Sequence, residues 1–411
     1  MSQVDYKDAK IALTINNGSS SSKLALIAEG VAEPLIAFNC ANIGESGSNI
    51  GYTLGEDDVT LELPLPDHTA AMRKAWEIIE ENFPGIEIVA VGHRMVHGGE
   101  AFKESMLLTD EVVAAIEKCS PLAPLHNPAN LDGFAVARGL FPNVPHVAVF
   151  DTAFHARMPE YVKRYAVPEK WYQEDMVAKY GFHGTSFQYV SRKFGAIKEI
   201  THDEIDVVIA HIGNGASISK IEGGISVDTS MGLTPVDGCV MGTRSGNIDA
   251  GIIEYICNKH QISAKEVIRQ LNKESGLKGL AGTNNMYVVW QSMLKGDKQA
   301  ALAFEVAAYR TAKICAGYLA TLATPKAIIF TAGVGENNGD YRRTVLNYMK
   351  YFQFQIDEEA INKRGENLKV ATGKCGMEAW VIPTNEELIL GEDSIAVALT
   401  GKAPEKYSFE K

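Results

Sequence analysis

The heptapeptide "NGSSSSK", Asn17–Lys23, returns as "NGASISK", Asn214–Lys220, with five of the seven positions identical. Both copies follow an apolar run, "KIALTI" and "DVVIAHI", and both lead into a second strand-like run, "LALIAEG" and "IEGGISVD". Self-similarity of this kind, flanks included, points to a duplicated domain. Two such halves can hold a polyphosphate from both sides of a cleft. Within each copy, Asn-Gly between apolar runs is a hairpin signal. Serine is a poor strand former, and a buried hydroxyl needs a partner. The first copy therefore reads as a solvated turn or as an anion cradle. In the cradle, Gly18 lets backbone N–H groups approach, the serines donate and Lys23 adds charge.

At 411 residues the chain suits two domains, each with its own core. Hydrophobic content of 46% and charged content of 22% are those of a soluble globular protein. A formal charge of −12 argues against a nucleic-acid or anionic-membrane partner, so any anionic substrate must meet local positive charge. No secretory signal is read in "MSQVDYKDAK", and no apolar run approaches a membrane span. Six scattered cysteines without a C-x-x-C pair read as reduced thiols of a cytoplasmic protein.

Strand-like and helical segments alternate. "DHTAAMRKAWEIIEENF" and "TDEVVAAIEKCS" have helical periodicity behind Asp and Thr starts, and "IEIVAVGHRMVHGG" and "VPHVAVFDTAFH" are strands running into polar turns. The second half repeats the scheme: a hairpin, a long helical stretch over 252–275, a helix around 299–324, then the strands "AIIFTAGVG" and "AWVIP". The last segment, "NEELILGEDSIAVALTG", reads as a helix able to pack back on the first half. The alternation predicts an α/β chain with largely parallel sheets flanked by helices, functional groups gathering at strand carboxyl ends.

Several residues stand at such ends. His93 and His97 are four apart, but the Glu of a zinc-binding H-E-x-x-H is missing. Arg94 is a guanidinium fork suited to a carboxylate or phosphate. Asp151 closes an apolar strand, where a carboxylate serves as turn former or, with partners, as acid/base or metal ligand. His183 lies in "GFHGTS", and Arg244 lies in a Gly-, Thr- and Ser-rich stretch too poor in apolar residues to be core. "FTAGVGEN" suits a nucleotide cradle at a helix start, and Glu386 and Glu387 open a helix as its dipole favours.

Taken in order, "INNGSSSSK", "GHRMVHGG", "SPLAPLHNPAN", "FDTAFH", "YGFHGTS", "HIGNGAS", "DTSMGLTPVDGCVMGTRSG", "FTAGVGEN" and "PTNEEL" resemble the acetate kinase family over nearly the whole chain. The resemblance implies a two-domain, duplicated ribonuclease-H-like (actin-like ATPase) fold with central mixed sheets flanked by helices. It divides the chain into 1–155 plus 386–411, on the acyl and metal side, and 156–385, binding nucleotide. It implies reversible phosphoryl transfer from ATP to acetate, giving acetyl phosphate and ADP, in a cytoplasmic homodimer using Mg2+, with Mn2+ as an alternative. Propionate or another short-chain acid remains open as acceptor, and GTP or pyrophosphate as donor.

By the same resemblance, Asn16 and Glu386 hold the metal, and Asp151, His183 and Arg244 are catalytic. Arg94 binds the acetate carboxylate, and Val96, Leu125, Phe182 and Pro235 surround its methyl group. Lys23, with His211, Ile212, Gly213, Asn214 and Gly215, lies at the phosphates. Gly333, Val334, Gly335, Glu336 and Asn337 line the nucleoside. The chain departs from the family pattern at Asn17, Ser22, Phe187, Asn247 and Ala250, and most at "TNNMYVV". There a nucleotide-contacting Ser-Ser-Asp-x-Arg is usual, and Asn285, Met286 and Tyr287 are the counterparts here.

Overall fold

The computed structural model describes Tyr6, residues 9–124 and residues 126–410. The chain divides into two compact units: unit 1 runs to Ala156 and resumes at Asn385, and unit 2 is Arg157–Thr384.

In unit 1 the strands are β1 (Ile11–Asn17), β2 (Ser22–Ala28), β3 (Ile36–Ala41), β4 (Asn49–Leu54), β5 (Asp57–Glu62), β6 (Ala90–Met95), β7 (Met106–Leu107) and β8 (His146–Phe150). They form one sheet in the order β5-β4-β3-β2-β1-β6-β8-β7. The pairs from β5 to β1 are antiparallel, while β1/β6 and β6/β8 are parallel. The sheet is thus mixed rather than largely parallel, because β1–β5 are joined by short turns that can only reverse the chain. Helices α1 (His68–Asn82), α2 (Asp110–Cys119) and α3 (Asn127–Leu140) follow. The Asp67 and Thr109 side chains cap α1 and α2, as their helix-start signals predict. Residues of α1 and α3 share a core with Leu13, Ile15, Leu24, Leu26 and Val91.

The other sheet face is covered by the helix Glu386–Thr400, which packs on β1, β2, β6 and β8. Leu390 and Val397 meet Val147 and Val149, and Ile395 meets Ala12 and Ala90. Approach is close enough to require glycine on each side: a Cβ at Gly391 would lie 2.5 Å from Ile27, and one at Gly92 would lie 2.2 Å from Ser394 Oγ.

In unit 2 the helices are α4 (Glu160–Lys163), α5 (Glu169–Asp175), α6 (Gly184–Lys198), α7 (Gly251–His260), α8 (Ala264–Lys273), α9 (Gly276–Ala281), α10 (Met286–Leu294), α11 (Lys298–Ala320), α12 (Ala332–Asn337) and α13 (Gly339–Tyr348), which makes Glu386–Thr400 α14. The strands are β9 (Val207–Ile212), β10 (Ala216–Glu222), β11 (Ile225–Thr229), β12 (Ala327–Thr331), β13 (Gln355–Ile356), β14 (Leu368–Thr372) and β15 (Glu378–Val381), ordered β11-β10-β9-β12-β15-β14-β13. The expected helix over 252–275 is two helices. Gln261 takes a left-handed conformation after α7, and the Ser263 side chain caps α8. "IEGGISVD" is likewise not one strand: β10 ends at Glu222, Gly223 and Gly224 turn at positive φ as a tight hairpin demands, and β11 begins at Ile225.

The duplication is visible in the sheets. β3-β2-β1-β6-β8 and β11-β10-β9-β12-β15 share one order and one sequence of antiparallel, antiparallel, parallel and parallel pairings. The two heptapeptides occupy equivalent turns, β1–β2 and β9–β10. The first is a four-residue loop in which Gly18 N–H donates to the Ser21 carbonyl at 2.8 Å, not a two-residue Asn-Gly turn. Among the described residues, no helix is long and apolar enough to cross a membrane.

Candidate active-site residues in the two units

Parallel pairing of β6 with β8 sets the first constellation, in unit 1. Met95 lies opposite Phe150, and Asp151 N–H donates to the Met95 carbonyl at 3.0 Å, so the two strands end together. Arg94 and Asp151, far apart in sequence, then meet in a two-pronged ion pair. Nε donates to Oδ1 at 2.8 Å and Nη2 to Oδ2 at 2.7 Å. Asp151 is 1% exposed and Arg94 24%. Burial opposes the guanidinium's charge, but Asp151, with Glu386 and Glu387 behind it, more than offsets this and holds Arg94 firmly protonated. Nη1 also reaches the Asn16 Oδ1 at 3.5 Å. Asn16, Arg94, Asp151 and the start of α14 therefore belong to one neighbourhood. Arg94, expected to grip a substrate carboxylate, spends its fork on Asp151, and Nη1 has only the long contact with Asn16.

Two asparagines of α3 brace this strand end. Asn130 Oδ1 accepts from Val96 N–H at 3.2 Å, and its amide donates to the Asn17 carbonyl at 2.9 Å. Asn127 exchanges hydrogen bonds with both backbone groups of His97. One helix thus ties the Arg94 strand to the β1–β2 turn. In that turn Ser22 Oγ donates to Asn17 Oδ1 at 2.5 Å, which is how a buried serine is satisfied at a strand start. Lys23 is exposed and registers opposite Asn16. Val96 is buried, but β6 ends at Met95, so strand alternation does not set the side it shares with Arg94. Leu125 lies outside the described residues.

The His93 ring is engaged within the fold. It stacks on His146 with Nε2 2.9 Å from His146 Nδ1, and burial together with that neighbour holds it well below its ordinary value of 6.5.

The metal expectation can be tested on the donor set. Among the described residues no group of three or more His, Cys, Asp or Glu could hold an ion. Asn16 and Glu386 offer oxygen donors, while both Asp151 oxygens are taken by Arg94. Such a set fits a hard cation carried mainly by substrate phosphate and water, the usual manner of Mg2+, and does not fit a protein cage.

The second constellation, in unit 2, surrounds the β9–β10 turn. Buried His211 near the end of β9 stacks on His183, with ring centroids 4.2 Å apart and planes at 13°. His183, at φ 58°, directly precedes α6, and its Nδ1 lies 2.8 Å from Ser217 Oγ. His211 Nδ1 is 2.8 Å from Ser186 Oγ, which accepts from Thr384 Oγ1 at 2.9 Å. Ile212 is buried, and Gly213 N–H closes on the Gly215 carbonyl at 3.0 Å. A Cβ at Gly215 would sit 3.4 Å from His183 Nε2 and 3.6 Å from Arg244 Nη1, so imidazole and guanidinium border the same point of the turn.

Arg244 donates to the Pro235 carbonyl at 3.3 Å and faces the Met241 sulfur at 3.6 Å. No carboxylate pairs with it among the described residues, and burial alone pulls its pKa below the usual arginine value. Phe182 is buried beside His183. Asn214 presents its carbonyl to Gly242 N–H at 2.9 Å and its Oδ1 to the Asn284 amide at 3.4 Å. Gly242 and Asn284 were missed from sequence, because only the fold brings them to the turn.

The nucleoside-side expectations divide. The Asn285 side chain caps α10, accepting from Tyr287 and Val288 N–H, and Met286 is buried, while Tyr287 is 59% exposed. Gly333 and Asn337 are exposed and Val334 partly so, whereas Gly335 is buried. Glu336 turns inward: its Oε1 accepts from Ala332 N–H at 2.7 Å and Thr384 N–H at 3.0 Å, linking the ends of β12 and β15. It is a strut of the fold. Buried Arg342 supports it by donating to the Gly335 and Glu336 carbonyls, and burial lowers that guanidinium to about 10.

Mixed sheets of this repeated order, flanked by helices, define a duplicated ribonuclease-H-like fold of the actin-like ATPase type. The chain belongs to the acetokinase family, whose model it matches over residues 11–392. It is 42% identical over 391 residues to the acetate kinase of Thermotoga maritima, covering 93% of this chain and 97% of that one. Among solved structures, the acetate kinase of Porphyromonas gingivalis matches with a TM-score of 0.88 and 36% identity, over 95% of this chain and all of the other. A propionate kinase from Francisella tularensis matches at 0.88 and 38%, over 93% and 98%.

Proposed function

We propose that this protein is an acetate kinase, moving the terminal phosphoryl group of ATP reversibly onto an acetate oxygen. The observation that carries the reading is Arg244, a partly buried guanidinium with no carboxylate partner among the described residues, set with His183 about the Gly215 turn. A cation desolvated without a counter-ion is a receptor for an anion that arrives later.

On this reading unit 1 is the acyl and metal side and unit 2 binds nucleotide. Acetate is ionised at neutral pH, so no strong general base is needed. Arg94 Nη1 offers the carboxylate a donor, and Asp151 fixes the guanidinium plane, acting as orienter and not as proton acceptor. On the acyl side, buried Val96 helps to exclude water from the methyl group. The His183 ring, whose Nε2 borders the Gly215 turn, meets the phosphoryl oxygens beside Arg244. Together they take up the charge spread over the equatorial oxygens as the group passes in line. His211, Ile212, Gly213, Asn214 and Gly215 supply the phosphate turn, with Lys23 adding charge. Asn16 and Glu386 would hold Mg2+, which neutralises phosphate charge when bound. Gly333, Val334, Asn337 and Tyr287 face the nucleoside. A cytoplasmic homodimer completes the reading; exposed Ile252, Tyr255, Leu302 and Tyr309 offer apolar surface for it.

The test is ADP release from MgATP on addition of acetate, with propionate compared at equal concentration. Acetate-dependent release is expected, and a rate that does not respond to acetate would sink the proposal.

A further inference from the structure

A pocket of about 620 Å3 opens in unit 2 away from the phosphate turn. Lys326 and Glu378, at the amino ends of β12 and β15, stand on its wall, whereas His211–Gly215 and Gly333 follow the carboxyl ends of β9 and β12. The volume is that of a small-molecule site.

Its charge is lopsided. Glu378 is its only carboxylate among the described residues, and it is already met by Lys198 at 3.0 Å, Lys369 at 3.7 Å and the Trp380 indole N–H at 2.8 Å. Lys326 and Lys374 also line the pocket; Lys326 feels the Glu204 carboxylate, and Lys374 has no ion pair within 4 Å among the described residues. One wall is aromatic. Tyr351 is 74% exposed, Phe352 lies beside it, and the Lys374 ammonium stands 4.8 Å from the Tyr351 ring centroid. An exposed ring under an unpaired cation suits a planar group tied to an anion, since the ring stacks and the ammonium groups pair.

We propose that this pocket binds a small anion carrying a planar ring, of the size of a nucleoside monophosphate. The site is separate from the phosphate turn and does not depend on the kinase assignment. Cys375 reports on it locally: it lines the pocket and is exposed, whereas Cys40, Cys119, Cys239 and Cys315 are buried and Cys257 is partly so.

The experiment follows maleimide labelling of the Cys375 peptide by mass spectrometry, with AMP, adenosine or inorganic phosphate as probe. AMP at about four times its Kd should slow labelling about fivefold, and the two fragments at that concentration less than about twofold. In Lys326→Glu/Lys374→Glu the protection should vanish while the ATP KM stays at the parent value, which separates this pocket from any other nucleotide site. Tyr351→Ala should weaken protection by AMP and leave the parent fold. Unchanged labelling with AMP in the parent protein, or protection that survives the double substitution, overturns the site. Protection by phosphate equal to that by AMP overturns the ring requirement.

Discussion

Asp151→Asn keeps the shape of the side chain and removes its charge. In the folded protein the Arg94 fork places Nε on one Asp151 oxygen at 2.8 Å and Nη2 on the other at 2.7 Å. Asparagine can accept only one of these N–H groups; the other would face its amide, donor against donor. Breaking a buried pair by neutralising one member costs about 3–5 kcal/mol, because the remaining charge stays desolvated. Here about 3 kcal/mol is expected, the low end, since Arg94 is 24% exposed and still feels Glu386 and Glu387. For a unit of this size that is a fall in Tm of about 6–12 °C. Urea titration of the variant should show a lower midpoint with an unchanged m value. Arg94→Met combined with Asp151→Leu, which removes both charges, should recover most of the loss. A single variant within about 1 kcal/mol of the parent would refute the claim that the pair organises this strand end.

Arg244→Ala should lower kcat by about 10²–10³ with little change in the acetate KM, and cost little stability because no carboxylate is stranded. Activity within about threefold of the parent would remove Arg244 from the transition state. With "TNNMYVV" uncharged and Asn285 committed to a helix cap, base recognition should be weak. The ratio of kcat/KM for ATP over GTP should stay below about a hundredfold, and a larger ratio would show another base contact. His93 is held neutral in the fold by burial and by His146, so the unfolded chain binds its proton more readily. Stability should therefore be fully present above the ordinary value of 6.5 and fall as pH drops below it, by up to about 1.4 kcal/mol per pH unit for this group. His93→Phe should flatten urea midpoints between pH 7.5 and 5.5 (roughly the window set by that shift), and an unaltered slope would clear His93 of the effect.

Local signals carried much of the fold. Asp67 and Thr109 cap the helices their sequences announce, and the repeated heptapeptide marks two turns that proved topologically equivalent. The long helix over 252–275 failed because a left-handed Gln261 leaves no composition trace: glutamine is an ordinary helix former. At the candidate sites the sequence exposed residue types but not their commitments. Arg94 and Asp151 became partners only because β6 lies beside β8. Asn127 and Asn130 stood in the sequence only as part of "SPLAPLHNPAN", and it is α3 that brings them under the Arg94 strand. Glu336, read as a ligand contact, proved to be tied to backbone N–H groups of two strand ends. That Arg244 lacks a carboxylate is a property of its surroundings, and no spacing rule encodes it.

The covering of the unit 1 sheet by α14 also bears on the order in which the protein can be made. The strands β1, β2, β6 and β8 leave the ribosome first, but the helix that buries their second face is encoded after the whole of Arg157–Thr384. At ordinary elongation rates that interval is roughly ten to fifty seconds. Throughout it Ala12, Ala90, Val147 and Val149 lack the partners that finally cover them. The second unit, contiguous in the chain, can complete itself while the first still waits. Newly synthesised chains are therefore exposed to aggregation through the older half of the molecule, and a nascent-chain holdase acting on that half would be most useful just before termination.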